Sequence, residues 1–118
     1  MNNAIIRIVN GTEEKLINLC PHKVDIVLDG ETITVAPSGI IARIQSKEVV
    51  VKTILGCIPV YGTEYGEVEN LPEKEENTYY IVSRLVLLNS PERDDLLAPG
   101  GQVRDADGNV CGCKGLSE

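Results

Sequence analysis

The sequence predicts a mainly β protein, a compact small sandwich or barrel of about eight short strands with at most one short helix. Three observations carry that expectation. Of the 118 residues, 36 are Ile, Val or Leu, and 25 of those are β-branched Ile or Val, residues that suit a pleated, half-buried surface. Turn signals such as Asn10-Gly11, Asp29-Gly30, Pro37-Ser38-Gly39 and Asp107-Gly108 recur between short apolar runs, the spacing of a sandwich or barrel. No internal repeat, splitting linker or alternating strand–helix pattern is present, so the chain reads as a single domain, 1–118, and not as a doubly wound parallel sheet.

Ala4 to Val9 is short and β-branched and stops at Asn10-Gly11, a strand ending in a turn. Lys15 to Leu19 is a second strand, broken by Pro21. Val24 to Leu28 and Glu31 to Val35 flank Asp29-Gly30, the signal of a hairpin closed by a type I′ turn. Ile40 to Ile44 resumes the β pattern, and Glu48 to Leu55 continues it after Ser46-Lys47. Cys57 to Tyr61 is a further strand in which Pro59 points to an edge or a bulge, and Tyr65 to Val68 pairs nearby. The segment 64–77 then reads as an acidic surface loop.

Tyr79 to Val82 is a strand. Ser83 to Asn89 reads as a helical turn or two capped by the Ser83 hydroxyl, with continuation of the strand as the alternative. Pro91 ends that element. Leu96-Leu97 forms a short strand closed by Pro99-Gly100-Gly101. Gln102 to Asp105 and Asn109 to Cys113 flank Ala106-Asp107-Gly108 as a C-terminal hairpin.

The core has to be aliphatic, because the chain lacks Phe and Trp and its four Tyr all lie between Tyr61 and Tyr80. The net charge is −7, of which six Glu and one Lys between Glu64 and Glu76 supply −5. An acidic chain poor in aromatics is a poor general nucleic-acid binder. No run approaches the ~18 apolar residues of a membrane span. No basic segment precedes an apolar export signal, which points to the cytoplasm.

Cys20, Cys57, Cys111 and Cys113 therefore read as free thiols. Cys20-x-His22 with Cys111-x-Cys113 offers four zinc-ligand types, but a single intervening residue is short for a structural zinc knuckle, so neither a metal nor another cofactor is expected. His22 reads first as a loop-fixing histidine. Ser83 lacks the Gly-x-Ser-x-Gly elbow of a hydrolase nucleophile, so no catalytic residue is assigned. Arg84, Arg93 and Arg104 fall within a short stretch. Their planar forks suit phosphate or carboxylate. One reading has Arg93 and Arg104 pair with Asp94, Asp95 or Asp105 to lock loops; the other has the arginines converge on an anionic ligand.

Asn18-Leu19-Cys20-Pro21-His22, Tyr80-Ile81-Val82-Ser83, Pro91-Glu92-Arg93-Asp94-Asp95, Val103-Arg104-Asp105 and Gly112-Cys113, in that order, resemble a family of small uncharacterised bacteriophage and prophage proteins. The resemblance runs from about Asn18 to Leu116. It implies a phage accessory protein acting inside an infected or lysogenic bacterial host. Members carry Thr at the place of Cys20 and an aliphatic residue at that of Cys111, which weakens the zinc reading further. By analogy of setting, the expectation is a non-enzymatic, homo-oligomeric protein that sequesters an anionic small molecule, such as a cyclic nucleotide immune signal. Arg84, Arg93 and Arg104 would hold phosphates, Tyr79 or Tyr80 would stack on a base, and His22, Ser83 and Asp94 would add polar contacts. The alternatives are a structural or protein-interaction module and, third, a nucleotide hydrolase.

Overall fold

The computed structural model describes residues 4–118. Nine strands and one five-residue helix follow in the order β1 (Ile5–Val9), β2 (Thr12–Asn18), β3 (Val24–Leu28), β4 (Glu31–Val35), β5 (Arg43–Ile54), β6 (Ile58–Glu69), β7 (Thr78–Ile81), α1 (Arg84–Leu88), β8 (Leu96–Arg104) and β9 (Val110–Ser117). The mainly β expectation holds. Seven strands form one sheet in the order β1-β2-β7-β8-β9-β3-β4, and β5 and β6 form a two-stranded sheet of their own. The large sheet curls like a nearly closed barrel. Its end strands β1 and β4 are linked across the seam by an exposed side-chain ion pair, Arg7 Nη2 to Glu31 Oε2, at 3.6 Å.

The sheet is mixed. β2 runs parallel to β7, β7 to β8, and β3 to β9. One strand–helix–strand unit therefore exists after all, β7-α1-β8. Ser83 caps its helix, its hydroxyl accepting the Val86 N–H at 3.4 Å, so the helical reading of 83–89 is correct. Alternation along β7 sends side chains to both faces of the sheet. Tyr80 and Val82 join Leu19, Ala42, Val86 and Leu96 in one buried cluster beneath α1. Ile81 joins Val24, Ile26, Val35 and Cys113 in a second cluster on the inner face.

The β3–β4 hairpin falls where the sequence places it, but of Asp29-Gly30 only Gly30 takes positive φ, so the turn is not of type I′. Both residues of Asn10-Gly11 do, at 52° and 81°. Three expectations change. The sequence breaks at Ser46-Lys47 and after Tyr61 do not occur, because β5 and β6 each run unbroken for twelve residues. The acidic segment 64–77 is a loop only from Asn70 onward. Glu64 to Glu69 lie in β6, where the register sets Lys47 opposite Glu64 and Arg43 opposite Glu69, and opposed charges favour pairing. Finally, Pro99-Gly100-Gly101 does not end β8. β7 pairs only with Leu96 and Leu97, so beyond them that side of β8 is an edge, which tolerates proline. Gly101 takes φ +71° and has the Lys114 side chain where a Cβ would stand, so only glycine carries the strand through.

The body is compact, but the β5–β6 hairpin is an arm. Its base, Ile44 and Val68, packs on the cluster beneath α1. Twelve strand residues at about 3.3 Å each span about 40 Å. The molecule measures 63 × 40 × 24 Å, with a radius of gyration of 17.8 Å, against about 13.5 Å for a compact chain of this length.

Candidate functional site

The residues singled out by sequence are not gathered at one place. Arg93 lies in the turn between α1 and β8. Its Nε and Nη2 donate to the two carboxylate oxygens of Asp95 at 2.8 and 2.7 Å, and its Nη1 donates to the Pro72 carbonyl at 2.9 Å. The pair is sheltered, with side-chain exposures of 16% for Arg93 and 4% for Asp95. The bidentate bond holds the Asp95 carboxyl below its ordinary range and raises the Arg93 guanidinium above its own. This is a lock between the 70–77 loop and the start of β8, the loop-locking alternative read from the sequence.

Arg104 stands at the far end of β8, where its Nη1 donates to Gly108 O at 2.7 Å and its Nη2 to Gln102 Oε1 at 3.2 Å. The length of β8 separates it from Arg93 by about 25–30 Å. Arg84 opens α1 and donates to Ser117 Oγ at 3.2 Å. Asp94 is exposed and ion-paired with Lys74, which holds its carboxyl below the ordinary range. Each arginine thus serves a different piece of backbone or loop.

Tyr79 and Tyr80 point to opposite faces of β7. Tyr80 is buried in the cluster beneath α1 and donates its hydroxyl to the Glu73 carbonyl at 3.4 Å; burial raises its pKa. Tyr79 lines the inner hollow of the curled sheet. His22 is an exposed loop residue, and the hydrogen bond that fixes its loop is made through its carbonyl. The side chain that does this is Asn18, fully buried at the end of β2. Its Nδ2 donates to His22 O at 2.8 Å and Val35 O at 3.0 Å, and its Oδ1 accepts the Cys20 N–H at 2.8 Å. Sequence reasoning passed over Asn18, although it opens the Asn-Leu-Cys-Pro-His motif.

All four cysteines are free thiols; Cys113 is buried, Cys20 half-buried, and Cys57 and Cys111 exposed. Cys20 Sγ lies 3.8 Å from Ile81 O, Cys111 Sγ 3.4 Å from Val103 O, and Cys113 Sγ 3.5 Å from Asp25 O. Burial raises the Cys20 pKa, which opposes thiolate formation. Among the described residues, no group of three or more His, Cys, Asp or Glu side chains could hold a metal ion, and no helix is long and apolar enough to cross a membrane.

What the fold does assemble is apolar. The inner face of the curled sheet leaves a hollow of about 290 Å³ lined by Ile5, Val9, Leu16, Ile26, Ile33 and Leu116, with Arg7 and Glu14 as its charged members. All seven strands of the sheet contribute to its wall. Its volume is at the lower limit of small-molecule sites, and its lining offers one guanidinium against one carboxylate. The arm exposes a second apolar surface, formed by Val50, Val51, Ile54, Leu55 and Ile58. No protein family, curated protein or solved structure matches the chain.

Proposed function

We propose that the chain is a non-enzymatic protein-interaction module of phage or prophage setting, a β scaffold that works by presenting surface. The observation that carries this reading is the Arg93–Asp95 lock. The one arginine held in a sheltered, charge-rich position spends both faces of its fork on its own chain. Arg104 is likewise turned to Gly108 and Gln102. That arrangement favours the interaction module over sequestration of a nucleotide, which needs several free forks on one ligand. The Ser83 hydroxyl serves as a helix cap, and this supports surface presentation over hydrolysis.

Calorimetric titration against a panel of cyclic nucleotides separates the readings. The expected result is no heat with any of them, while Arg93→Glu lowers the melting temperature. Saturable heat that disappears in Arg84→Ala or Arg104→Ala would overturn the interaction reading in favour of sequestration. Intact ligand recovered after denaturation would then distinguish sequestration from hydrolysis.

A further inference from the structure

The loop that joins β6 to β7 is fixed at both ends and loose between them. Each end turns through a left-handed asparagine, Asn70 at φ 62° and Asn77 at φ 55°, a conformation that asparagine tolerates. At the first end, Asn70 Nδ2 donates to the Ile41 carbonyl at 3.1 Å, Leu71 packs on the cluster beneath α1, and the Pro72 carbonyl accepts from Arg93. At the second, the Asn77 carbonyl accepts the Lys15 N–H at 2.9 Å, and the Glu76 carbonyl accepts the Thr78 hydroxyl at 3.1 Å. The residues between, Glu73, Lys74 and Glu75, have exposed side chains. Among the described residues, they make no backbone–backbone hydrogen bond to another element. Two tethers reach them. The Glu73 carbonyl accepts the Tyr80 hydroxyl at a long 3.4 Å, and Lys74 pairs with Asp94 at the surface.

Charge does not hold this segment down. Lys74–Asp94 is its one ion pair among the described residues, and an exposed pair is weak. The neighbouring Glu13, Glu76, Glu92, Asp94 and Asp95 outnumber Lys15 and Arg93, so a net negative segment faces a net negative surround. What it covers is a cavity of about 430 Å³ on the outer face of the sheet, larger than the inner hollow. Ile17, Leu19 and Tyr80 line it from the sheet, and Pro72 and Glu75 wall it from the loop. Tyr80 is 2% exposed there. Few hydrogen bonds, exposed side chains and firm ends are the marks of a unit that opens below the cost of global unfolding.

We infer that residues 73–75 form a flap, held shut by the Lys74–Asp94 pair and the Tyr80 hydroxyl, that opens between its fixed ends while the sheet stays folded and uncovers the Tyr80 ring. The open flap turns a walled cavity into an accessible surface of Ile17, Leu19 and Tyr80. The inference goes beyond the interaction reading and does not depend on it, since the flap opens or stays shut whatever partner the module has.

Nitration of the full chain by tetranitromethane, mapped tyrosine by tyrosine with mass spectrometry, tests it. Tyr61 on the arm is 59% exposed and serves as the open reference. Tyr80 should react more slowly than Tyr61, at a rate that low urea leaves unchanged, because opening the flap exposes little surface. Lys74→Ala and Asp94→Ala should each speed the nitration of Tyr80 by about two- to fivefold, and the double variant should add nothing, since both break one pair. A Tyr80 that reacts only as urea unfolds the chain overturns the inference. So does a Tyr80 as reactive as Tyr61, or a rate that neither variant changes. Variants that speed Tyr80 only with the urea slope of global unfolding act through overall stability, and they also overturn it. None of these results bears on the nucleotide titration, so the two readings fail separately.

Discussion

Replacing Arg93 by alanine tests the lock that ties the 70–77 loop to β8. The substitution removes three donors at once, two on the Asp95 carboxylate and one on the Pro72 carbonyl. It leaves Asp95, with 4% of its side chain exposed, as a charge without a partner. Removing one member of a buried pair is destabilising by about 3–5 kcal/mol. Arg93 retains some exposure, which admits water to the broken pair, so the lower limit of about 3 kcal/mol applies. For 118 residues the unfolding entropy near the midpoint is about 0.25 kcal/mol/K, and the expected fall in melting temperature is about 12 °C. Differential scanning calorimetry at pH 7 measures it. Arg93→Ala combined with Asp95→Asn should recover part of the loss, because the stranded charge is gone. A shift below about 4 °C for Arg93→Ala, or losses that simply add in the double variant, would refute the lock.

The same pair sets an acid limit. A carboxyl held low in the folded state contributes stability above its unfolded pKa of about 3.9, and that stability is lost as pH falls through the lower folded value. Melting temperature of the wild type should therefore drop on acidification below about pH 4, and the gap to Arg93→Ala should narrow over that window. Asn18→Ala strips the buried Val35 carbonyl and the half-buried His22 carbonyl and Cys20 N–H of their partner. It should lower stability by about 2–4 kcal/mol, read by urea denaturation, with amide exchange rising first in residues 19–23. Ser83→Ala removes the cap of α1 and should lower stability by about 1 kcal/mol, with Ser83→Asp restoring it.

The parts of the fold legible in the sequence are those governed by neighbours along the chain. The strands Val24–Leu28 and Glu31–Val35 were bounded by Asp29-Gly30, and the Ser83 cap by the apolar run behind it, so local chemistry was enough. The sequence divides the arm into four pieces because both of its faces meet solvent. Without a buried face, Ser46, Lys47, Gly62 and Glu64 look like loop residues, and only the cross-strand register shows that they face partners. The sheet order was hidden for a different reason. The parallel pairings of β2 with β7 and β3 with β9 join segments far apart in sequence, and nothing local marks them. At the candidate site, adjacency in Arg93-Asp94-Asp95 already pointed to a lock, whereas the apolar hollow is a product of the curl and could not be seen before the strands were placed.

The place of β9 has a kinetic consequence. Last of the strands in sequence, it lies inside the sheet, between β8 and β3. Cys113 reaches the carbonyl of Asp25 across 88 residues of sequence. The three antiparallel hairpins of the first seventy residues can each close early, but the strand ladder that connects β3 and β4 to β8 is completed only when β9 arrives between them. Chain closure over that separation is the slow event, which sets folding in the millisecond-to-second range of non-local β proteins. During synthesis, the apolar lining of β1, β3 and β4 is exposed to water until residues 110–117 have left the ribosome.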